Sequence, residues 1–185
     1  TLAKFTACPE KAHLDAARRV LSYLDKTSQL KLVFGDFSHT KMCNDTITIP
    51  DSLISFTDSS WGSEKPPSGY ACYYKGSLVA WASKRLKTTP LSSCESEYVA
   101  ATNAANSVVF LNELIEDITK LPAQQPTTIY CDNSAACQLT EDALSGKRVK
   151  HALRKLTYLR ELNADGQIKM TFISGENNPA DIFTK

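Results

Sequence analysis

Four carboxylates stand where a folding chain seldom puts one. In 53-LISFTDSSWGS-63, Ile54, Phe56 and Asp58 share one face of a strand at period 2. Asp58 therefore continues an apolar face and sits at the strand's end. In 127-TTIYCD-132, apolar residues again lead into an acid, Asp132, and a polar loop leads out. The long helix opening at 91-LSSCESEYVAATNAANSVVFLNEL shows a third case. Positions 97, 101, 104, 108, 111 and 115 share one face and read Glu, Ala, Ala, Val, Leu, Ile. Glu97 thus falls on the first turn of the buried stripe. Its neighbour Glu95 has a structural job, because Ser92 and Glu95 form a capping-box pattern. The fourth acid, Asp181, lies in 175-GENNPADIFTK, two residues past a proline suited to open a helix. An acid there also suits the helix dipole.

Taken singly, each acid has an ordinary explanation as a turn former, a cap or a dipole partner. Taken together, they sit at the ends of two strands and the starts of two helices. Clustered carboxylates resist burial unless a cation compensates them. Hard oxygen ligands in small number suit Mg²⁺ or Mn²⁺, with substrate phosphate completing the shell. Two such ions about 4 Å apart would serve a phosphodiester displacement.

The elements that must position these acids can be read from periodicity. Residues 11–25 form an amphipathic helix, with Leu14, Ala17, Val20 (or Leu21) and Leu24 at helical spacing. The run 30-LKLVF-34 reads as a short strand, and 35–50 as a linker or an irregular hairpin. LISFTD, GYACYY and SLVAWAS read as strands, with a tight Lys75-Gly76 turn between the last two. Helices are expected over 93–118, 133–140 and 150–163, strands over 127–132 and 167–173, and a last helix from Pro179. Trp81, inside a strand, is expected in the core.

Bulk properties bound the rest. A length of 185 residues suits one domain, or one domain and an appendage. A net charge of +1 decides nothing about a polyanionic partner, so local patches must carry that question. Lys147, Arg148, Lys150, Arg154, Lys155 and Arg160 form such a patch, with no acid between Gly146 and Glu161. It is either a solvated helix face or a set of phosphate contacts. The six cysteines show no C-x-x-C spacing, which favours a reducing compartment over a disulfide framework. No apolar run is long enough for a membrane span. With no initiator Met, the chain is expected to be a piece of something longer.

TDSSWGS, PSGYACYY, VAWASKR, LSSCESEYVA, TIYCDNSAA, RVKHA and PADIFTK, in this order, resemble the ribonuclease H domain of Copia-type (Pseudoviridae) LTR retrotransposon Pol polyproteins. AARRVLSYLDKT resembles the helix that joins a reverse transcriptase to that domain. The resemblance implies an α/β, ribonuclease H-like fold: a five-stranded mixed sheet flanked by helices. Its first three strands would be antiparallel and its fourth parallel to the first. It implies a division into a reverse transcriptase tail, 1–50, and a ribonuclease H domain, 51–185. It also implies two-metal-ion hydrolysis of the RNA strand of an RNA/DNA hybrid, with Mg²⁺ (Mn²⁺ substituting) held by Asp58, Glu97, Asp132 and Asp181. Ser59, Ser60, Ser93, Cys94 and Asn133 would face the nucleic acid, where 2′-hydroxyls mark RNA. Lys147, Arg148, Lys150 and Arg154 would meet phosphates. The implied partners are the hybrid and the reverse transcriptase of the same polyprotein, with a homodimer left open and no membrane. The implied place is a cytoplasmic virus-like particle.

Two departures from the family pattern stand out. No His precedes the last Asp in 170-MTFISGENNPAD, and His151 is followed by Ala152-Leu153 where the family carries an Asp two residues on. Weak activity or affinity is expected of this isolated piece. Transposases and integrases place their glutamate after the second aspartate, whereas Glu97 precedes Asp132. Proofreading exonucleases carry D-x-E on the first strand, where this chain has Asp58-Ser59-Ser60. The remaining alternative is an inactive or domesticated retroelement fragment that binds nucleic acid or docks on a polymerase.

Overall fold

The computed structural model describes residues 2–141 and 153–185. Two compact units divide the chain, Thr1–Val33 and Phe34–Lys185.

The first unit holds a 3-10 turn, Leu2–Phe5, and helix α1, Lys11–Lys26. The expected helix over 11–25 thus forms. His13 fixes its start: the Glu10 N–H donates to His13 Nδ1 at 2.9 Å, and Phe5 stacks on the imidazole. Thr27 closes its end by donating to the Tyr23 carbonyl. Leu14, Val20, Leu21 and Leu24 are all at least half exposed. The strand expected over 30–34 does not form. No described strand pairs with this run, and an unpaired strand leaves its backbone groups to water.

The second unit opens with a small antiparallel hairpin, β1 (Lys41–Met42) and β2 (Ile47–Thr48). Then come β3 (Leu53–Ser59), β4 (Pro67–Tyr74), β5 (Ser77–Arg85), α2 (Ser93–Thr119) and β6 (Thr127–Cys131). α3 (Ser134–Glu141), α4 (Leu153–Ala164) and β7 (Ile168–Phe172) follow, and two 3-10 turns, Gly175–Asn177 and Pro179–Phe183, end the unit. The last of these replaces the expected helix after Pro179. The main sheet runs β5-β4-β3-β6-β7. β3, β4 and β5 are antiparallel, and β6 is parallel to both β3 and β7. This is the five-stranded mixed sheet that the sequence implies. The β4–β5 turn needs two left-handed residues, and Lys75 (φ 50°) and Gly76 (φ 78°) supply them.

β3 is buried along its whole length because both faces of the sheet are covered. On one face, Leu53, Cys72, Ile129 and Met170 pack with Ala101, Ala104, Ala105 and Val108 of α2 and Leu159 and Leu162 of α4. The alanine stripe lets α2 lie close to the strands. On the other face, Ile54, Phe56 and Ile173 pack with Ile47 and Ala180, and Met42, Tyr73, Tyr130 and Phe183 border them. Phe56 lies between Tyr130, stacked at 5.0 Å, and Tyr73, edge-on at 5.7 Å. The β1–β2 hairpin is therefore the cover of this second face. Asn177 fastens it, accepting from Asn44 Nδ2 at 2.7 Å and donating to Thr46 Oγ1 at 3.1 Å.

Trp81 is 54% exposed and so lies outside the core. β5 is an edge strand, and the cross-strand neighbour of Trp81 is Ala71, too small to bury it. Gly69, opposite Asp58 on β4, has a clear reason to be glycine. A Cβ there would lie 2.3 Å from Phe183 Cβ and 3.1 Å from the Ala82 carbonyl oxygen. Only a bare backbone lets the last 3-10 turn settle on the sheet beside Asp58.

Two outcomes follow. A chain beginning at Asp51 loses the buried Ile47 and Ile49. Denaturant unfolding should find it at least ~3 kcal/mol less stable than one beginning at Phe34, since each buried Ile contributes about 1.5–3 kcal/mol. Gly69→Ala should cost about 1–3 kcal/mol by overpacking against Phe183, read as a fall in Tm.

Candidate active site

The last β3–β6 pairing joins Thr57 to Cys131. One step further along this parallel register sets Asp58 beside Asp132, where adjacent strands run about 4.8 Å apart. Both acids thus stand at the carboxyl ends of neighbouring parallel strands, the usual place for a site in an open α/β sheet.

α2 brings Glu97 to them from the helical face. Ser92 starts this helix, its Oγ accepting from the Glu95 N–H at 3.1 Å. Glu95 reaches back to accept from the Leu91 N–H at 2.8 Å. The first turn is therefore fixed, and Glu97 points inward at 5% exposure. The Ser59 N–H donates to Glu97 Oε1 at 3.3 Å, and the Cys131 thiol donates to Oε2 at 3.8 Å. Burial, with Asp132 and then Asp58 nearby, still pushes the Glu97 carboxyl up to about 9. Asp132 is also shifted upward, first by burial and then by Asp58. Asp181 adds to that shift, and Lys185 opposes it.

Asp181 arrives on the last 3-10 turn, held to the sheet by Asn178. The Asn178 side chain caps the turn, Oδ1 accepting from the Ala180 N–H at 3.1 Å. Its Nδ2 donates to the Thr57 carbonyl at 2.9 Å, on the strand that carries Asp58. Ser60 Oγ donates to the Thr184 carbonyl at 3.1 Å, and Ser83 Oγ to the Phe183 carbonyl at 2.7 Å. The Thr184 hydroxyl donates to Asp58 Oδ2. Lys185 Nζ lies 2.5 Å from Asp181 Oδ2. Gly175 passes so near that a Cβ would sit 3.2 Å from Asp132 Oδ2. The four acids predicted from the sequence are thus brought to one end of the sheet.

Their chemistry fits a hard divalent cation. The donors are carboxylate oxygens, and burial, together with the neighbouring acids, drives Glu97 and Asp132 towards the neutral form. A bound cation would remove that strain. Glu97, Cys131 and Asp132 also place one ligand atom each within 4.8 Å of one another. Cys131 is a neighbour that the sequence reading missed; its place in the apolar run IYC disguised it as plain core. Asn178 could have been found as an N-cap before a proline, whereas Thr184 and Lys185 are marked only as part of the PADIFTK block, with no role attached.

The other predicted contacts are more scattered. Ser59 is buried, and its hydroxyl turns to the Ser60 and Pro67 carbonyls. The Ser60 hydroxyl is engaged by Thr184. Ser93 is exposed at the start of α2, and Cys94 beside it is half-buried. Asn133 caps α3 by accepting from the Ala136 N–H at 3.1 Å. Arg154 is exposed on α4. Lys147, Arg148, Lys150 and His151 lie outside the described residues. In the same basic stretch, Arg160 Nε donates to the Leu139 carbonyl at 2.8 Å, closing the end of α3. Lys155 is half-buried, and burial lowers its pKa.

No family model matches the chain. Among curated proteins, it is 29% identical over 188 aligned residues to the retrovirus-related Pol polyprotein from transposon TNT 1-94 of Nicotiana tabacum. That alignment covers the whole chain and 13% of the relative, so the chain spans about an eighth of that polyprotein's length. It is 32% identical over 114 residues to the secreted RxLR effector protein 161 of Plasmopara viticola, covering 60% of this chain and 72% of that one. Among solved structures, the ribonuclease H1 of the halophilic archaeon Halobacterium salinarum superposes with a TM-score of 0.54 at 16% identity. The match covers 71% of this chain and 93% of the archaeal one. Over its whole length the chain is homologous to segments of retrovirus-related Pol polyproteins from plant transposons, and its fold is that of ribonuclease H.

Proposed function

We propose that this chain is a Copia-type ribonuclease H, a metal-dependent endonuclease that hydrolyses the RNA strand of RNA/DNA hybrids during reverse transcription. The observation that carries the reading is the convergence of Asp58, Glu97, Asp132 and Asp181, from four separate elements, at the carboxyl ends of β3 and β6. These four would hold a pair of Mg²⁺ ions, with Mn²⁺ as a substitute. When bound, such a pair supplies Lewis-acid stabilisation of the charge that develops in a phosphodiester displacement.

The chain's own residues supply the placement. The Ser59 N–H orients Glu97, Thr184 orients Asp58, and Asn178 holds the Asp181 turn against β3. A strand end, a capped helix and a fastened turn are rigid supports, and such sites must be held to within about 0.5 Å. The exposed Ser93 hydroxyl, at the rim beside Glu97, is suited to a 2′-hydroxyl, the group that separates RNA from DNA. Arg154, with Lys147, Arg148 and Lys150, would meet phosphates and make binding salt-dependent.

In this reading residues 1–50 derive from the tail of the reverse transcriptase and 51–185 from the nuclease, while 34–50 fold as part of the same compact unit as the nuclease sheet. The chain acts within the cytoplasmic virus-like particle, under reducing conditions, beside its polymerase. The chemistry needs no second copy, since one chain contributes all four acids. Among the described residues, no helix is long and apolar enough to cross a membrane. A second reading, a retroelement fragment kept as a separate module, draws support from the short effector relative, most of whose length this chain covers. Retention of the four acids favours the enzyme.

Two measurements test the proposal. An end-labelled RNA/DNA hybrid should be cut in its RNA strand alone with Mg²⁺ or Mn²⁺, and not in EDTA. Asp132→Asn should lower the rate by at least ~100-fold, as loss of a charge-stabilising group does at an active site. A hybrid left intact by folded protein in both metals, with its polymerase domain added, would favour the binding module. The second measurement is thermal unfolding in EDTA across pH. A carboxyl whose folded pKa is raised stabilises the fold below its ordinary value, 4.5, and that stability is lost as pH climbs towards about 9. Metal-free Glu97→Gln should therefore be more stable than the parent at pH 8 by at least ~1 kcal/mol, about 2–4 °C in Tm. Its advantage should shrink towards pH 5.

A further inference from the structure

We infer that Lys185 is the resting counter-ion of the carboxylate cluster, a cation that a divalent metal ion must displace from Asp181 before the site fills. The inference rests on the metal-site reading above and gives a role to Lys185, the last residue of the PADIFTK block, to which the sequence reading assigns none.

The backbone aims Lys185 at the acids. Thr184 bonds to both halves of the site: its hydroxyl donates to Asp58 Oδ2, and its N–H donates to the Asp181 carbonyl at 3.2 Å. The next residue therefore leaves the turn beside the cluster. Its ammonium reaches Asp181 Oδ2 at 2.5 Å and lies within electrostatic reach of Asp58 and Asp132. The other described ion pairs are Arg18–Asp15, His39–Asp51 and Lys75–Asp36, none of which involves the four acids. Among the described ion pairs, the one from Lys185 to Asp181 is thus the one that reaches this cluster.

The same geometry makes the pairing easy to break. The Lys185 side chain is 77% exposed, against 32% for Asp181. The ammonium approaches from the solvent side on a flexible stem, and an exposed pair of this kind is weak. A divalent ion bound by several of the acids at once outcompetes one monovalent contact. Lys185 then swings into water and no longer bonds Asp181. In the metal-free chain it limits carboxylate repulsion, and the same charge weakens metal binding.

Calorimetric titration of Mn²⁺ into the metal-free full chain, without nucleic acid, tests this directly. Lys185→Gln should bind Mn²⁺ about five-fold tighter or more, the effect of one unit charge at ~4 Å even under water-like screening. Lys185→Arg, which keeps the charge, should match the parent. Without metal, Lys185→Gln should melt below the parent, and saturating Mn²⁺ should close that gap. Asp132→Asn is the control for the site itself and should lose most of its Mn²⁺ affinity. Unchanged or weaker binding by Lys185→Gln, with binding lost in Asp132→Asn, would overturn the role of Lys185 and leave the metal site standing. Undiminished binding by Asp132→Asn would overturn the metal site.

Discussion

Mutual repulsion among carboxylates is the constraint around which this fold is organised. Asp58 and Asp132 are forced together by the register of two parallel strands, and Glu97 is driven in from a buried helical face. Left to themselves, such groups separate, take up protons or draw in water. Here they are held by elements that cannot yield. β3 is buried on both faces, and α2 is pinned at its first turn by Ser92 and Glu95. The result is a site in which burial and neighbouring acids raise the pKa of Glu97 and Asp132, a cost that a bound cation would relieve.

The restraint spans the sequence. Asn178 and Thr184 bond to atoms of β3 more than a hundred residues earlier, and Ser60 and Ser83 hold the same turn from the sheet side. Each bond is modest, about 1 kcal/mol net. Together they turn a five-residue 3-10 segment into a rigid support for Asp181. The absence of a side chain at Gly69 belongs to this arrangement, since the turn could not otherwise reach the strand. The β1–β2 hairpin completes it by covering the second face and bonding to Asn177. Structural and functional demands therefore meet in the last dozen residues.

Much of this was legible in the sequence, for identifiable reasons. Period-2 alternation ending in an acid exposed Asp58 and Asp132, and a glutamate on a helical apolar stripe exposed Glu97. These signals are local, and so were the strands, the Lys75-Gly76 turn and the helices at 11–26 and 93–119. Where the answer depended on distant partners, local pattern failed. LKLVF looks like a strand but has no described neighbour to pair with. Trp81 looks like core but lies on an edge strand across from an alanine. Thr184 and Lys185 belong to the PADIFTK block, but their roles arise only when the last turn folds back onto Asp58. Arg160 depends on a distant partner too: it reads only as one member of a basic stretch, and its guanidinium donates to a carbonyl of α3.

The measurement that tests the central claim most directly is a crystal structure of the full chain soaked in Mn²⁺, with anomalous scattering used to locate the ions. The account predicts two anomalous peaks roughly 4 Å apart, bounded by Asp58, Glu97, Asp132 and Asp181, as two-metal phosphodiester chemistry requires. Peaks elsewhere on the chain, or none at saturating Mn²⁺, would contradict it.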